Sequence, residues 1–366
     1  MSVRQFEEHD IPLVADLYWR VMRERDESSP DDLQSNIHSL YFENPWIDGP
    51  QPSLVFDDGG KITGFLGVVP RKMSMGGQSV KAAFGGNFVV EPGSRTSLAA
   101  LQLLRTYMLA GQDLSLTDSA NDISRALLER LGFSTILDFS VHWIRVLRPA
   151  RFATFALSHF TGNSMVRSMA FTTRPFCNLT DRLMDRLSFN PFRQRESPLH
   201  GAELDVETLL ACQRDFRNGH SLWSEYDENS LVWLLKFMAR MKSHGEAMQQ
   251  IVLRDRRGKI VGWYIYFGTP GGLGEVVQIT GDRRNMTAIL DHLFYHAWSR
   301  DVVALRGIAD RQRMPELSEK NCFFTCRGGW MVAHSREPSF LGALKSGDAF
   351  LSRLDGEWCL ALGASS

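Results

Sequence analysis

The sequence lacks an excess of charge, a long apolar run and an apolar amino terminus. Its 41 lysines and arginines stand against 42 aspartates and glutamates, and the resulting net charge of −1 gives no general attraction to nucleic acid or to an anionic membrane. No run approaches the roughly 18 apolar residues that predict a transmembrane helix. Residues 1–10 carry acids and no apolar core, so we do not expect a signal peptide there.

The cysteines form no regular pattern either. There are five, an odd number, and their scatter along the chain excludes a secreted disulfide framework. Cys322 and Cys326 form a C-x3-C pair, but no histidine or second cysteine pair stands nearby to complete a zinc site. We therefore expect free thiols, no metal cofactor and a reducing, cytoplasmic compartment.

What the sequence does contain is an internal repeat. At 366 residues the chain is longer than a single hydrophobic core usually extends, so two domains are expected. Residues 53–66 and 251–265 each read as an apolar strand, a charged turn and Gly-Lys-Ile-x-Gly opening a second apolar strand. Glycine supplies the positive φ that a tight hairpin turn needs, so both segments predict β-hairpins.

The surroundings of the two hairpins repeat as well. In each copy a helix precedes the hairpin, and strand, helix, strand, helix and strand follow it. The first copy has its helix at 13–22 and the later elements at 83–90, 97–110, 114–116, 123–131 and 139–146. The second has them at 206–216, 275–279, 286–299, 303–308, 314–320 and 330–334. The alternative is that two α/β segments share a hairpin by chance, but order and spacing agree across the elements. The pattern predicts an α/β chain with mixed sheets flanked by helices.

These copies predict domains at 1–147 and 200–366, joined by a helical connector at 148–199. Nine arginines stand against three acids between positions 145 and 196, so this region is strongly basic. The basic stretch is either a patch for an anionic partner or simply a solvated connector.

One segment of the first copy resembles a known family, the GCN5-related N-acetyltransferases (GNAT). In that family a central strand ends in V-x-P, and a loop R/Q-x-x-G-x-G/A leads into a helix whose amino end holds the CoA pyrophosphate. Here Val90-Glu91-Pro92 matches the strand end, and residues 95–100 fall on the loop. Backbone N–H groups and the helix dipole at such a helix start attract phosphate. Leu98 stands where the family usually has glycine.

A second family motif, N-x-x-A-x-x-x-Y-x-K-x-G-F, is matched in part by residues 121–133. Asn121, Arg130, Gly132 and Phe133 fall on the pattern, whereas Leu128 stands where the family places its proton-donating tyrosine. The resemblance implies that strand N–H groups bind the thioester carbonyl and that the loop and helix bind CoA. The implied cofactor residues are Phe88, Val89, Val90, Arg95, Thr96, Ser97, Leu98, Ala99, Ala100 and Asn121.

The resemblance implies two tandem GNAT-like domains, each with a mixed, mainly antiparallel sheet. The second copy matches loosely, because its loop residues Arg283, Arg284 and Asn285 lack the glycine pattern. The implied activity is transfer of an acyl group from acetyl-CoA, or another acyl-CoA, to the amine of a small molecule or peptide.

A carboxylate commonly accepts the amine proton in this family. The candidates are Glu91 and Asp118 in the first copy and Glu275 in the second, with His142 as a further option, and a surface or structural role is the alternative for each. Two other functions remain open. One is a non-catalytic protein that binds acyl-CoA or acts as a scaffold, and the other is a Fem-like transferase that uses aminoacyl-tRNA.

Overall fold

The two predicted hairpins lie in two separate β-sheets of a computed structural model. The structure describes residues 2–22, 30–49, 52–93, 96–161, 174–185, 190–216, 219–241, 247–326 and 329–362. Unit 1 comprises Met1–Ser140, Gly219–His244 and Cys326–Ser366, and unit 2 comprises Val141–Asn218 and Gly245–Thr325. Strands and helices are numbered below in chain order.

Unit 1 is built on a large sheet with helices around it. Its strands are β1 (Ser2–Gln5), β2 (Leu54–Asp57), β3 (Ile62–Met75), β4 (Gln78–Val90), β5 (Leu114–Ala120), β6 (Ser134–Thr135), β9 (Leu222–Ser224), β15 (Trp330–His334) and β16 (Ala349–Phe350). Its helices are α1 (Ile11–Met22), α2 (Pro30–Tyr41), α3 (Thr96–Met108), α4 (Asp122–Arg130), α8 (Glu228–Arg240) and α11 (Pro338–Ser346), followed by a 3-10 turn at Glu357–Leu360. The strand order is β1-β2-β3-β4-β5-β15-β6, and β9 pairs with β3 and β16.

Unit 2 repeats this plan with a sheet of seven strands. They are β7 (His142–Val146), β8 (His200–Glu203), β10 (Ala247–Arg254), β11 (Ile260–Gly268), β12 (Leu273–Gly281), β13 (Ala304–Ile308) and β14 (Phe323–Thr325). Its helices are α5 (Pro149–Thr161), α6 (Arg174–Asp185), α7 (Val206–Asp215), α9 (Met286–Ser299) and α10 (Met314–Glu319). The strand order is β14-β7-β13-β12-β11-β10-β8.

Each sheet contains a short parallel pairing at the same place in its topology. In unit 1, β4 pairs with β5 only at Ala82–Phe84, and in unit 2, β12 pairs with β13 only at Leu273–Glu275. Beyond these residues β4 continues to Val90 and β12 to Gly281, so the two central strands of each sheet diverge. The other pairings along both strand orders are antiparallel, as the predicted fold class requires.

Two strands are exchanged between the sequence copies. β7 ends the first copy but pairs with β13 and β14, and β15 belongs to the second copy but pairs with β5 and β6. β7 thereby lies between β13 and β14 in unit 2, which is the position that β15 holds between β5 and β6 in unit 1. The compact units therefore divide the chain differently from the predicted boundaries at 147/148 and 199/200, which follow the sequence copies and remain a prediction.

Helix α3 packs on the sheet of unit 1 through an apolar face. On α3, Leu103, Leu104 and Tyr107 are buried and pack with Phe56 of β2 in one core cluster. These positions are one and three residues apart, which places them on one face of the helix. The Tyr107 hydroxyl also donates to the carbonyl of Ala83 (2.7 Å) and accepts from the Leu116 N–H (3.0 Å). It thus joins β4 to β5 where they begin to diverge. None of the helices in the described ranges is long and apolar enough to cross a membrane.

Candidate functional site

The divergence of β4 from β5 in unit 1 is accompanied by a bulge in β4. The pairing of β3 with β4 shifts register between Phe65 and Gly67, and Asn87 has a φ of 49°. Asparagine tolerates this left-handed conformation better than most residues because its short polar side chain bonds locally. The bulge turns Asn87 out of the regular hydrogen-bond ladder.

Asn87 holds the last described turn of the chain against β4. Its Nδ2 donates to the Tyr41 hydroxyl (2.9 Å) and to the Leu360 carbonyl (3.1 Å), and its Oδ1 accepts from the Leu362 N–H (3.0 Å). The Asn87 side chain is buried, so water cannot easily take the place of these hydrogen-bond partners. The turn at Glu357–Leu360 is thereby fixed beside the bulge.

This turn brings a second carboxylate to Asp118. Glu357 accepts hydrogen bonds from the Asn87 N–H (2.8 Å), from the Thr117 hydroxyl (3.2 Å) and from the Ser119 hydroxyl. Its own N–H donates to Asp118 Oδ1 (2.8 Å). Both acids are half-buried. We call the space between β4 beyond Phe84 and β5 beyond Leu116, with these two acids, the notch.

Two glycines make this close approach possible. A Cβ on Gly86 would lie 2.4 Å from Cγ of Glu357, and one on Gly356 would lie 1.8 Å from Oδ2 of Asp118. Neither distance is compatible with an additional atom unless a carboxylate moves. Glycine at both positions therefore leaves the space that the two carboxylates occupy.

Burial raises the pKa of both carboxylates, but different groups surround each of them. Burial first, and then the nearby Glu357 carboxylate, raises the pKa of Asp118 to about 7. Burial also raises the pKa of Glu357, but hydrogen bonds from Ser119, Asn87 and Thr117 oppose this shift. Donors favour the ionised form of an acid. Near neutral pH Asp118 is therefore protonated in part of the molecules, and three hydrogen-bond donors stabilise the ionised form of Glu357.

The raised pKa of Asp118 predicts a pH-dependent gain in stability for Asp118→Asn. The folded protein binds a proton at this site that the unfolded chain releases near pH 4, so the stability of the native protein falls as the pH rises from about 4 to about 7. The side-chain amide of the Asp118→Asn variant does not titrate, so this site does not lower the stability of the variant as the pH rises. Allowing for partial exposure, we expect the variant to gain about 1–2 kcal/mol over the native protein at pH 8 relative to pH 4.

Thermal unfolding at several pH values measures this difference. Asp48→Asn, which changes an exposed aspartate of the same unit, is the matched control and should show no such trend. A constant difference between Asp118→Asn and the native protein from pH 4 to pH 8 would contradict the pKa shift.

Solved structures of acyltransferases are similar to this chain in overall fold. A probable N-acyltransferase from Enterococcus faecalis V583 has a TM-score of 0.58 and 13% identity, covering 91% of this chain and 71% of that one. An N-acetyltransferase from Anabaena variabilis has a TM-score of 0.57 and 12% identity, covering 92% and 73%. N-myristoyltransferase from Saccharomyces cerevisiae, solved with bound myristoyl-CoA, has a TM-score of 0.55 and 8% identity, covering 91% and 78%.

The structure has the GNAT fold in tandem. No protein-family model matches the sequence, and no curated protein is similar to it in sequence. At identities of 8–13% the likeness shows the GNAT fold alone, so the chemistry must be argued from the residues of this chain.

Of the predicted carboxylates, Asp118 alone lies in the notch. Glu91 follows β4, and its carboxylate is bound by Lys61 (2.7 Å) and by Arg20. These cations lower the pKa of Glu91, which weakens it as a proton acceptor. Glu275 lies in unit 2 and pairs with Arg306 (2.8 Å), directly opposite it on β13. His142 is buried on β7, also in unit 2.

Most of the predicted CoA-binding residues lie on β4 and in the first turns of α3. Phe88, Val89 and Val90 follow the bulge on β4. Since the Glu91 N–H bonds to Thr63 on β3, strand alternation directs the Val90 N–H to the opposite edge, on the side of β5. The predicted loop is described only in part.

The first turn of α3 is described without two of its side chains. Arg95 lies outside the described residues, and the side chains of Thr96 and Ser97 do as well. Ala99 and Ala100 are buried, whereas Leu98, at the position of the family glycine, is 47% exposed. The Leu98 side chain therefore faces solvent at the start of the helix.

The two signature residues around α4 have structural partners. Asn121 is the N-cap of α4, and its side-chain oxygen accepts from the Ser124 N–H (2.8 Å). Leu128, at the family's tyrosine position, is 3% exposed and packs in a hydrophobic core. It has no hydroxyl to give a proton to the leaving thiolate.

In unit 2 other groups occupy the corresponding region. Arg313 is buried, and it donates to the Thr280 hydroxyl (3.1 Å) and to the Ile279 carbonyl on the diverging part of β12. At the turn leading into α9, Asp282 accepts from the Arg284 N–H (3.2 Å). Asp282 is thus the N-cap of this turn and occupies an N–H group that a phosphate would need, while Arg283 and Arg284 stand beside it.

Sequence reasoning missed Glu357, the second acid of the notch. It is 239 residues from Asp118 in sequence, and no motif connects the two. The only local sequence features at the site are the dipeptides Gly86-Asn87 and Gly356-Glu357. In each of them a glycine precedes a residue that takes part in the hydrogen bonds of the notch. They gain meaning only when the fold brings them together.

Proposed function

We propose that this protein is an acyl-CoA-dependent N-acyltransferase whose transfer site is the notch of unit 1. The observation that carries the proposal is the pair of half-buried acids, Asp118 and Glu357, at the point where β4 diverges from β5. The pair offers a proton acceptor and a proton donor in one place. The acyltransferases that share the fold support the choice of reaction class.

The ionised carboxylate of Glu357 is the proposed base. It removes a proton from the acceptor amine as the amine nitrogen forms a bond to the thioester carbon. The carbon–sulfur bond breaks, and CoA leaves as a thiolate. Asp118, which is protonated in part of the molecules near neutral pH, is the proposed source of the proton that converts this thiolate to a thiol. After the step, the proton from the amine replaces the one that Asp118 gave up.

Acyl-CoA would bind along the diverging end of β4 and at the start of α3. The Val90 N–H, directed to the β5 side, is suited to the thioester oxygen. The first turn of α3, a helix of 13 residues, offers N–H groups to the CoA pyrophosphate. We propose acetyl-CoA as co-substrate, with longer acyl-CoA as the alternative. The acceptor would be an amine of a small molecule or peptide.

Calorimetric or thermal-shift titration with acetyl-CoA, myristoyl-CoA and CoA tests the cofactor. A ligand present at 100 times its Kd stabilises the native protein by about 2.7 kcal/mol. We expect Leu98→Glu to weaken binding at least about tenfold, because it places a negative charge in the first turn of α3 beside the pyrophosphate.

Leu101→Glu is the matched control, since Leu101 is also exposed on α3 but lies beyond the first turn. It should bind as the native protein does. If no CoA species binds, or if both variants lose affinity equally, the proposed cofactor site is wrong.

A non-catalytic acyl-CoA-binding protein is the second candidate. The observation that favours it is Leu128, which is buried in the core where the family places its tyrosine. Release of CoA thiol with a panel of amines distinguishes the two functions. Acyl-CoA binding without any amine-dependent thiol release supports the binding protein.

A further inference from the structure

Unit 2 contains a pocket that the proposed acyl transfer does not use. Its volume is about 690 Å³, and it lies among β7, α9, the end of α10 and the segment 190–196. Its charged or aromatic lining residues are Arg145, Arg193, Arg195, Glu196, Asp291, Phe294, Tyr295, Glu319 and Lys320. The pocket is wide enough for a small organic molecule rather than a single ion.

Arg145 on β7 is the buried cation of this lining. Its side chain is about 97% buried, and Nη2 donates to the Pro191 carbonyl (2.9 Å). Within the described ranges, Nε and Nη1 have no hydrogen-bond partner, and no ion pair to Arg145 is found. A buried guanidinium without an ion-pair partner is unfavourable, so an additional negative charge beside it would be stabilising.

The acids of the pocket supply that charge only in part. Burial lowers the pKa of Arg145, and the Asp291 carboxylate opposes this shift without forming an ion pair with the guanidinium. Asp291 forms an ion pair with Lys320, and Glu196 accepts a hydrogen bond from the Tyr295 hydroxyl (2.9 Å). Glu319 is exposed at the end of α10. Each acid is therefore held by another group or faces solvent.

Two further cations stand at the mouth of the pocket. Arg193 and Arg195 are exposed on the segment 190–196, and neither forms an ion pair with another residue of the described ranges. With Arg145 they make three guanidinium groups that no carboxylate contacts. A group with two negative charges matches this arrangement better than one with a single charge.

We propose that this pocket binds the phosphate group of a phosphorylated small molecule. The phosphate would supply the counter-charge for Arg145, and Arg193 and Arg195 would contact it from the mouth of the pocket. The half-buried ring of Tyr295 offers apolar surface to the rest of the molecule. This site is independent of acyl transfer in unit 1.

Calorimetry of the full chain with inorganic phosphate and with glycerol 2-phosphate, at constant ionic strength, tests the proposal. We expect both to bind, the ester at least about tenfold more tightly because its organic part reaches apolar surface. Arg145→Met should weaken both by at least about tenfold, as loss of a charge-assisted contact does. Arg257→Met changes an exposed arginine of unit 2 and should leave binding unchanged.

A second variant covers the case in which Arg145→Met does not fold. Changing Arg193 and Arg195 together to glutamine alters two exposed side chains, and we expect it to weaken binding by about tenfold. Absence of binding to the native protein overturns the proposal, as does an equal loss in Arg257→Met. Equal affinities for inorganic phosphate and the ester would overturn the assignment to a phosphorylated small molecule.

Discussion

Replacing Glu357 with glutamine lowers the rate of acyl transfer by at least about 100-fold, with acyl-CoA affinity unchanged, if this carboxylate accepts the amine proton. Glutamine keeps an oxygen for the Asn87 N–H, which Glu357 accepts at 2.8 Å, but cannot take a proton. The loss should therefore appear in the chemical step. Thiol release with an amine panel gives the rate, and calorimetry gives the affinity.

Glu225→Gln provides the matched control for this prediction. Glu225 is an exposed glutamate of the same unit, so its loss should leave both rate and affinity unchanged. A rate for Glu357→Gln equal to that of the native protein would remove Glu357 from the mechanism. A higher rate would show that its carboxylate blocks the Asn87 N–H from substrate.

Replacing Asn87 with alanine lowers the free energy of unfolding of the protein by about 3 kcal/mol or more. Alanine removes the bonds to Tyr41, Leu360 and Leu362, and it leaves buried polar groups without partners. It also places a Cβ-bearing residue without local hydrogen bonds at a φ of 49°. Urea unfolding followed by tryptophan fluorescence measures the loss.

Asn87→Gly separates the two causes. Glycine adopts a positive φ without strain, so it should be about 1 kcal/mol more stable than alanine while still lacking the side-chain bonds. A loss below about 0.5 kcal/mol for Asn87→Ala, the range of ordinary surface substitutions, would contradict the network. Reduced activity in both variants would further connect the bulge to the positioning of Glu357.

The repeat in the sequence, together with the resemblance to the GNAT family, was enough to predict the fold. The hairpins at 53–66 and 251–265 and the helix at 286–299 are present, and both sheets are mixed and mainly antiparallel. The exchange of β7 and β15 was not predictable in the same way. An apolar pattern shows that 330–334 forms a strand, but it does not show which sheet that strand joins.

The candidate site was predicted in part. Asp118 was a candidate because it lies near the end of a central strand in the sequence. Glu357 comes close to it only through the turn that Asn87 holds in place. Glu91 was expected on the same grounds, but the cations that bind it could not be read from spacing, since Arg20 and Lys61 lie far from it in sequence. Side-chain pairing across distant segments depends on the assembled sheet.

Photocrosslinking with an acyl-CoA that carries a diazirine on its acyl chain tests the central claim, that unit 1 binds the acyl group in the notch. We expect labels, removed by excess unmodified acyl-CoA, in peptides that contain residues 84–91 or 354–360 of the native protein. Competed labels confined to unit 2, for example at 276–281 on the diverging part of β12, would contradict the claim, and so would the absence of any competed label.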